Sequence, residues 1–153
     1  MLEIFCTRLR IEQKTAESKQ LFTAPSAKIL AVDDVAINLK VVKALLKNTL
    51  IMLDTVSSGP AAIEACNNNK YDVILMDHMM PGMDGIEAFK IIREGDSVNK
   101  NTPVIVLTAN AISGSKEEYD KAGFDDYLSK PVKGADLEKI ILKHLPKELV
   151  TLH

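Results

Sequence analysis

Four short hydrophobic runs, the last of them mixed, are each stopped by a residue with chemistry to offer, and they constrain this chain more than anything else in it. Residues 28–32 run into Asp33-Asp34, residues 71–76 into Asp77, residues 103–107 into Thr108 and residues 124–129 into Lys130. A short uninterrupted run such as 29–32 suits a strand covered on both faces, the habit of parallel sheets flanked by helices. In an open parallel sheet, ligands bind just outside the carboxyl ends of the strands. Three carboxylates, a hydroxyl and an ammonium delivered to that edge make a site for a divalent cation and a phosphoryl group.

The intervening segments carry helical spacing. A first helix is expected over about residues 36–47, with Ile37, Val41, Ala44 and Leu45 on its inward face. A strand over 51–56 is placed near a sheet edge because Asp54 interrupts it. Ser58 is a candidate N-cap just before Pro60, opening a second helix with Ala62, Ala65 and Cys66 inward. Pro81, Gly82 and Gly85 make a loop, and a third helix follows on Ile86, Phe89 and Ile92. Ile112, Tyr119 and Ala122 mark a fourth helix stopped by Gly123. Leu137, Ile140 and Ile141, with His144 or Leu145, mark a fifth over about 135–145, ended by Pro146. Five strands alternating with five helices imply an α/β fold. The expected form is a flavodoxin-like doubly wound (βα)5 with right-handed crossovers and a five-stranded parallel sheet of order 2-1-3-4-5. In that order the first and third strands are neighbours, so Asp33, Asp34 and Asp77 share one crevice.

A length of 153 residues suits one domain with a substantial core, and residues 28–146 hold the whole rhythm. Residues 1–27 stand outside it. Leu9 and Ile11 alternate with Arg8, Arg10 and Glu12 as a short strand would, residues 13–20 are polar, and residues 23–26 read as a linker. The segment is read as a linker or a remnant of an upstream domain, with a disordered tail as the equal alternative; residues 147–153 are read as a C-terminal tail. A net charge of −2 offers no general attraction to nucleic acid or an anionic membrane. No apolar run approaches the roughly 20 residues of a bilayer span, and the first residues lack a signal-peptide core. Cys6 and Cys66 are too few for a disulfide framework or a zinc site, so a cytoplasmic location is expected. No output domain and no basic recognition helix is evident after the fifth helix.

A single loop aspartate is most often merely solvated. Three at the ends of adjacent strands repel one another unless a cation compensates. Mg²⁺, which takes oxygen ligands and keeps several waters, is the fitting ion. Thr108 reads either as an N-cap of the helix that follows or as a donor to a phosphoryl oxygen. Lys130 stands before Pro131, where the backbone is restricted on both sides, and offers a point charge for phosphate. A carboxylate at Asp77 can form an acyl phosphate, with Mg²⁺ and Lys130 offsetting charge on the transferring group. The chain has no Walker A loop and no Gly-x-Gly-x-x-Gly, so ATP is not expected as the direct donor. His78 points away from the phosphosite by strand parity and is read as solvent-facing, while His144 is read as packed. Met76, Met79, Met80 and Met83 are read as packing rather than a soft metal site.

Taken together, Val32-Asp33-Asp34, Met76-Asp77-His78-Met79-Met80-Pro81-Gly82-Met83-Asp84-Gly85, Leu107-Thr108-Ala109 and Tyr127-Leu128-Ser129-Lys130-Pro131 resemble the response-regulator receiver domain of two-component and phosphorelay signalling. The resemblance covers residues 28–146, and the texture around Asn38, His78 and Phe124 is similar to receivers carried by hybrid sensor histidine kinases. It implies Asp77 as the phosphorylation site, with Asp33, Asp34, Asp77 and the Met79 main-chain carbonyl around Mg²⁺ and Mn²⁺ able to substitute. It also implies Thr108 and Lys130 as phosphoryl ligands, Tyr127 as an aromatic rotamer switch, and a cis Lys130–Pro131 bond. The implied partner is a sensor histidine kinase or a histidine phosphotransfer domain, with a homodimer through the fourth helix, fifth strand and fifth helix as a further expectation. The implied activity is that of a phosphoacceptor signalling domain that assists its own phosphorylation and dephosphorylation, not of an enzyme. Two other readings stand beside it. A metal-dependent phosphohydrolase of the aspartyl-phosphate type resembles an Asp-x-Asp arrangement with its nucleophile after the first strand, whereas Asp33 and Asp34 are adjacent. A flavodoxin-like cofactor binder needs a phosphate-cradling loop at that point, and none is present.

Overall fold

The structure, a computed structural model, describes residues 22–109 and 115–153. After a two-residue β1 (Phe22–Thr23), the apolar runs become β2 (Lys28–Val32), β3 (Met52–Val56), β4 (Val73–Asp77), β5 (Val104–Thr108) and β6 (Asp126–Ser129); a short β7 (Thr151–Leu152) follows. The five long strands form one parallel sheet of order β3-β2-β4-β5-β6. Counted from β2, that is the expected 2-1-3-4-5, with Asp54 on an edge strand.

Alternation along each strand serves two layers. Ile29, Ala31, Val73, Leu75, Ile105 and Leu107 face one, under α1 (Ala36–Leu46) and α5 (Gly134–His144). Leu30, Val32, Ile74, Met76, Val104 and Val106 face the other, under α2 (Gly59–Asn68), α3 (Gly85–Glu94) and α4 (Ser115–Ala122). Burial on both faces is why 29–32, 73–76 and 104–107 are apolar without interruption, whereas the edge strands β3 and β6 carry Asp54 and Asp126. Helix ends follow local chemistry. Ser58 Oγ accepts the Ala61 N–H at 3.2 Å with Pro60 in the first turn, and Asp84 Oδ1 accepts the Glu87 N–H at 2.9 Å. Gly123, at φ +97°, ends α4 with its N–H on the Tyr119 carbonyl at 3.1 Å. No helix among the described residues is long and apolar enough to cross a membrane.

The inward face of α1 differs from the one expected. Ile37 and Val41 are 65% and 42% exposed and Ala44 is exposed, while Val42 and Leu46 are buried with Leu39 and Leu45 packed beside them. The helix carries two stripes of compatible spacing, and its contact with α5 and the sheet selects the second. Two segments read from sequence as linker and tail are also packed. Phe22 and Thr23 pair antiparallel with Leu152 and Thr151, and Phe22, Ala24 and Ala27 are fully buried in the α1–α5 layer. Cys6, Leu9, Ile11 and Ile112 lie outside the described residues, as do residues 13–20.

Candidate functional site

The parallel register brings the run-ending residues to one level. Val32 pairs with Met76, Asp77 with Leu107, and Thr108 with Ser129, so Asp33, Asp77, Thr108 and Lys130 leave neighbouring strands side by side. The ladder continues past the strand ends: the Lys130 N–H donates to the Thr108 carbonyl at 2.8 Å and the His78 N–H to the Leu107 carbonyl at 3.1 Å. The Lys130–Pro131 bond is cis, as expected. Gly85 closes the loop after β4, donating its N–H to the His78 carbonyl at 2.9 Å. A Cβ there would collide with the Asp77 carbonyl, so glycine alone lets α3 begin against the strand end.

Lys130 Nζ lies 2.7 Å from Asp77 Oδ1 and 3.1 Å from Asp33 Oδ2. The other Asp33 oxygen accepts the Val35 N–H at 2.9 Å, which orients the carboxylate. Asp33 and Asp77 are buried and Asp34 is exposed, yet one oxygen from each lies within 4.8 Å of the others. Burial pushes the Asp77 carboxyl up, and the charges of Asp33 and Asp34 add to the rise against the lowering effect of Lys130. For Lys130, burial works downward, but its bonds to Asp77 and Asp33 outweigh it and keep the ammonium charged. One cation therefore faces three carboxylates. That excess negative charge fits a divalent ion with a taste for oxygen.

Thr108 is buried at the end of β5, and residues 110–114, on which its N-cap reading turns, lie outside the described residues. Tyr127 is half-buried on β6 beside Val106, with Lys116 Nζ 5.9 Å from its ring centroid. The Met79 side chain is 70% exposed, whereas Met76 and Met80 are buried and Met83 packs against the same layer. His144 is half-buried, its Nε2 3.1 Å from Asp126 Oδ2.

His78 needs a correction. It does point away from Asp77, but the face it points to is covered: it shares parity with Ile74 and Met76, and α4 roofs that layer. Its Nδ1 lies 2.8 Å from the Tyr119 hydroxyl, and the two rings meet edge to face with centroids 5.3 Å apart. Tyr119 in turn donates to Thr108 Oγ1 at 2.8 Å. Sequence reasoning treated Tyr119 only as an apolar position. The available signal was its hydroxyl, since a buried tyrosine finds a hydrogen-bond partner.

The family model of the response regulator receiver domain matches residues 29–142. The signal transduction histidine-protein kinase BarA of Escherichia coli K12 is 39% identical over 132 residues, covering 86% of this chain; the chain spans 14% of BarA. The receiver domain of a sensor histidine kinase from Pseudomonas aeruginosa PAO1, with a magnesium ion coordinated in its active-site cleft, is similar at a TM-score of 0.71 and 36% identity, covering 77% of this chain and 96% of that one. A co-crystal structure of the Saccharomyces cerevisiae histidine phosphotransfer protein Ypd1 with the receiver domain of Ssk1 is matched at a TM-score of 0.74 and 26% identity, covering 83% of this chain and 94% of that one. With its sheet order, its converging acids and these matches in agreement, the chain belongs to the response regulator receiver domain family.

Proposed function

We propose that this domain takes a phosphoryl group from a phosphohistidine onto Asp77. An Asp77 oxygen attacks phosphorus, the phosphorus–nitrogen bond breaks, and the electron pair leaves with the imidazole nitrogen, which then takes up a proton. Asp33, Asp34, Asp77 and the Met79 main-chain carbonyl would hold Mg²⁺, or Mn²⁺ in its place; the ion supplies charge neutralisation for the transferring group. Lys130 offsets the remaining charge and Thr108 donates to a phosphoryl oxygen. The observation that carries this reading is the Lys130 ammonium bridging Asp77 and Asp33 beside a three-carboxylate cluster. Family membership supports it over the aspartyl-phosphate type phosphohydrolase.

The donor would be a sensor histidine kinase or a histidine phosphotransfer domain. The solved complex with Ypd1 supports that choice, and so does the apolar surface of Val35, Ile37 and Val41 beside Asp33-Asp34. A cytoplasmic phosphorelay of a hybrid kinase is the setting the BarA relationship favours. In this reading Thr108 moves toward the phosphoryl group and Tyr127 turns inward, shifting the populations of the α4–β6–α5 surface, through which the domain dimerises or docks. Incubation with a small acyl phosphate and Mg²⁺, followed by mass spectrometry, should place one label on Asp77. Asp77→Asn should abolish it, and labelling of that variant at the wild-type level would overturn the proposal.

A further inference from the structure

The Tyr119 hydroxyl is buried between two partners at the same distance. It donates to Thr108 Oγ1 at 2.8 Å, and His78 Nδ1 lies 2.8 Å from it on the other side. Tyr119 is 1% exposed, so the hydroxyl cannot turn to bulk water when a partner leaves. The phenol is fixed from below as well, its ring edge to face with Phe124 at 5.9 Å between centroids. Because Tyr119 donates to Thr108, His78 Nδ1 is the donor to Tyr119 in this arrangement, and the donors run in one direction along the chain from His78 to Thr108.

We infer that Tyr119 is a positioning residue for Thr108: its hydroxyl latches Thr108 in the unphosphorylated domain and passes to His78 Nδ1 when Thr108 moves to the phosphoryl group. The inference rests on the phosphoacceptor reading of Asp77 and Thr108. A buried hydroxyl stripped of its acceptor is strongly disfavoured. Withdrawal of Thr108 would create that situation unless a second acceptor stood ready. The imidazole supplies one by changing tautomer. In the tautomer with its proton on Nε2, Nδ1 stands 2.8 Å from the hydroxyl as an acceptor, and the phenol O–H swings to it. Tyr119 therefore holds back the switched form, and His78 eases the passage into it. The two residues act with opposite sign on one equilibrium, which a packing role does not require.

The test titrates Mg²⁺ with beryllium fluoride, a phosphoryl mimic, into the wild type, Tyr119→Phe, His78→Leu and the double variant, following amide spectra; thermal melts report folding. Tyr119→Phe keeps the ring and removes the latch, and should bind the mimic about threefold to tenfold more tightly, the worth of one neutral hydrogen bond. His78→Leu leaves the switched form with an orphaned phenol and should bind about fivefold or more weakly. In the Tyr119→Phe background the His78 substitution should have no further effect. A Tyr119→Phe variant that melts lower but binds the mimic as the wild type does would show a packing residue only and overturn the latch. Equal weakening by His78→Leu in both backgrounds would overturn the transfer to His78. Failure of the wild type to give a saturable response would instead overturn the phosphoacceptor reading itself.

Discussion

At the amino end of the sheet Asn99 is fully buried, its amide donating to the Cys66 and Asn69 carbonyls at 2.7 and 2.6 Å and its oxygen accepting the Tyr71 N–H at 2.7 Å; at the carboxyl end Asp33 and Asp77 are nearly as deep yet share one ammonium. The amino end continues in the same closed manner. Thr102 Oγ1 accepts from Lys70 at 2.9 Å, and Asp125 Oδ2 accepts both the Val104 N–H and Arg93 at 2.8 Å. Among the described residues no buried side-chain polar atom lacks a partner, so satisfaction alone does not separate the two ends. Charge does. A buried polar cluster becomes a binding site when its charges fail to cancel, and a structural one when they do or when it is neutral.

That contrast can be broken from either side. Asn99→Ala should be the most damaging change, lowering the unfolding free energy by about 2–5 kcal/mol because it orphans the Tyr71 N–H and the Asn69 carbonyl. Urea unfolding measures the loss, and the folded fraction should still respond to Mg²⁺; a variant that is folded but unresponsive would mean the two ends are coupled. Next in size is the cation. Mg²⁺ at about a hundred times its dissociation constant should stabilise the wild type by about 2.7 kcal/mol. The double variant Asp33→Asn, Asp34→Asn should lose that gain in thermal melts, and a chelator should reverse it in the wild type. The smallest effect is expected on the outer face of α1. Val41→Ser should change stability by no more than about 0.5 kcal/mol, and a loss several times larger in denaturant titration would mean that Val41 is packed after all.

The sheet was legible because both of its faces are buried. The stretches 29–32, 73–76 and 104–107 have neither polar interruptions nor ambiguous period, and an odd or even position then decides which layer a residue serves. The α1 face was not legible. Ile37-Val41-Ala44 and Leu39-Val42-Leu46 both satisfy a helical period, and only the docking of the helix chooses between them. Strands β1 and β7 are two residues each, too short to carry any period, and their pairing joins the two ends of the described chain. His78 was half legible: parity aimed it correctly, but parity does not say that a helix roofs the face it aims at.

What the sequence determined by itself is the list of chemical groups at the sheet edge, because each stands at the end of an apolar run whose length sets where the strand stops. Asp33, Asp77, Thr108 and Lys130 follow from local order, and so does the glycine at 85 that lets α3 start against the Asp77 carbonyl. What only the tertiary structure decided is how those groups are held. The reach of Lys130 to two acids, the roof of α4 over His78 and the seat of Tyr119 between His78 and Thr108 join residues far apart in the chain. Such contacts depend on helix docking and strand register together, and distances of a few ångström between distant elements leave no period in a sequence to be read.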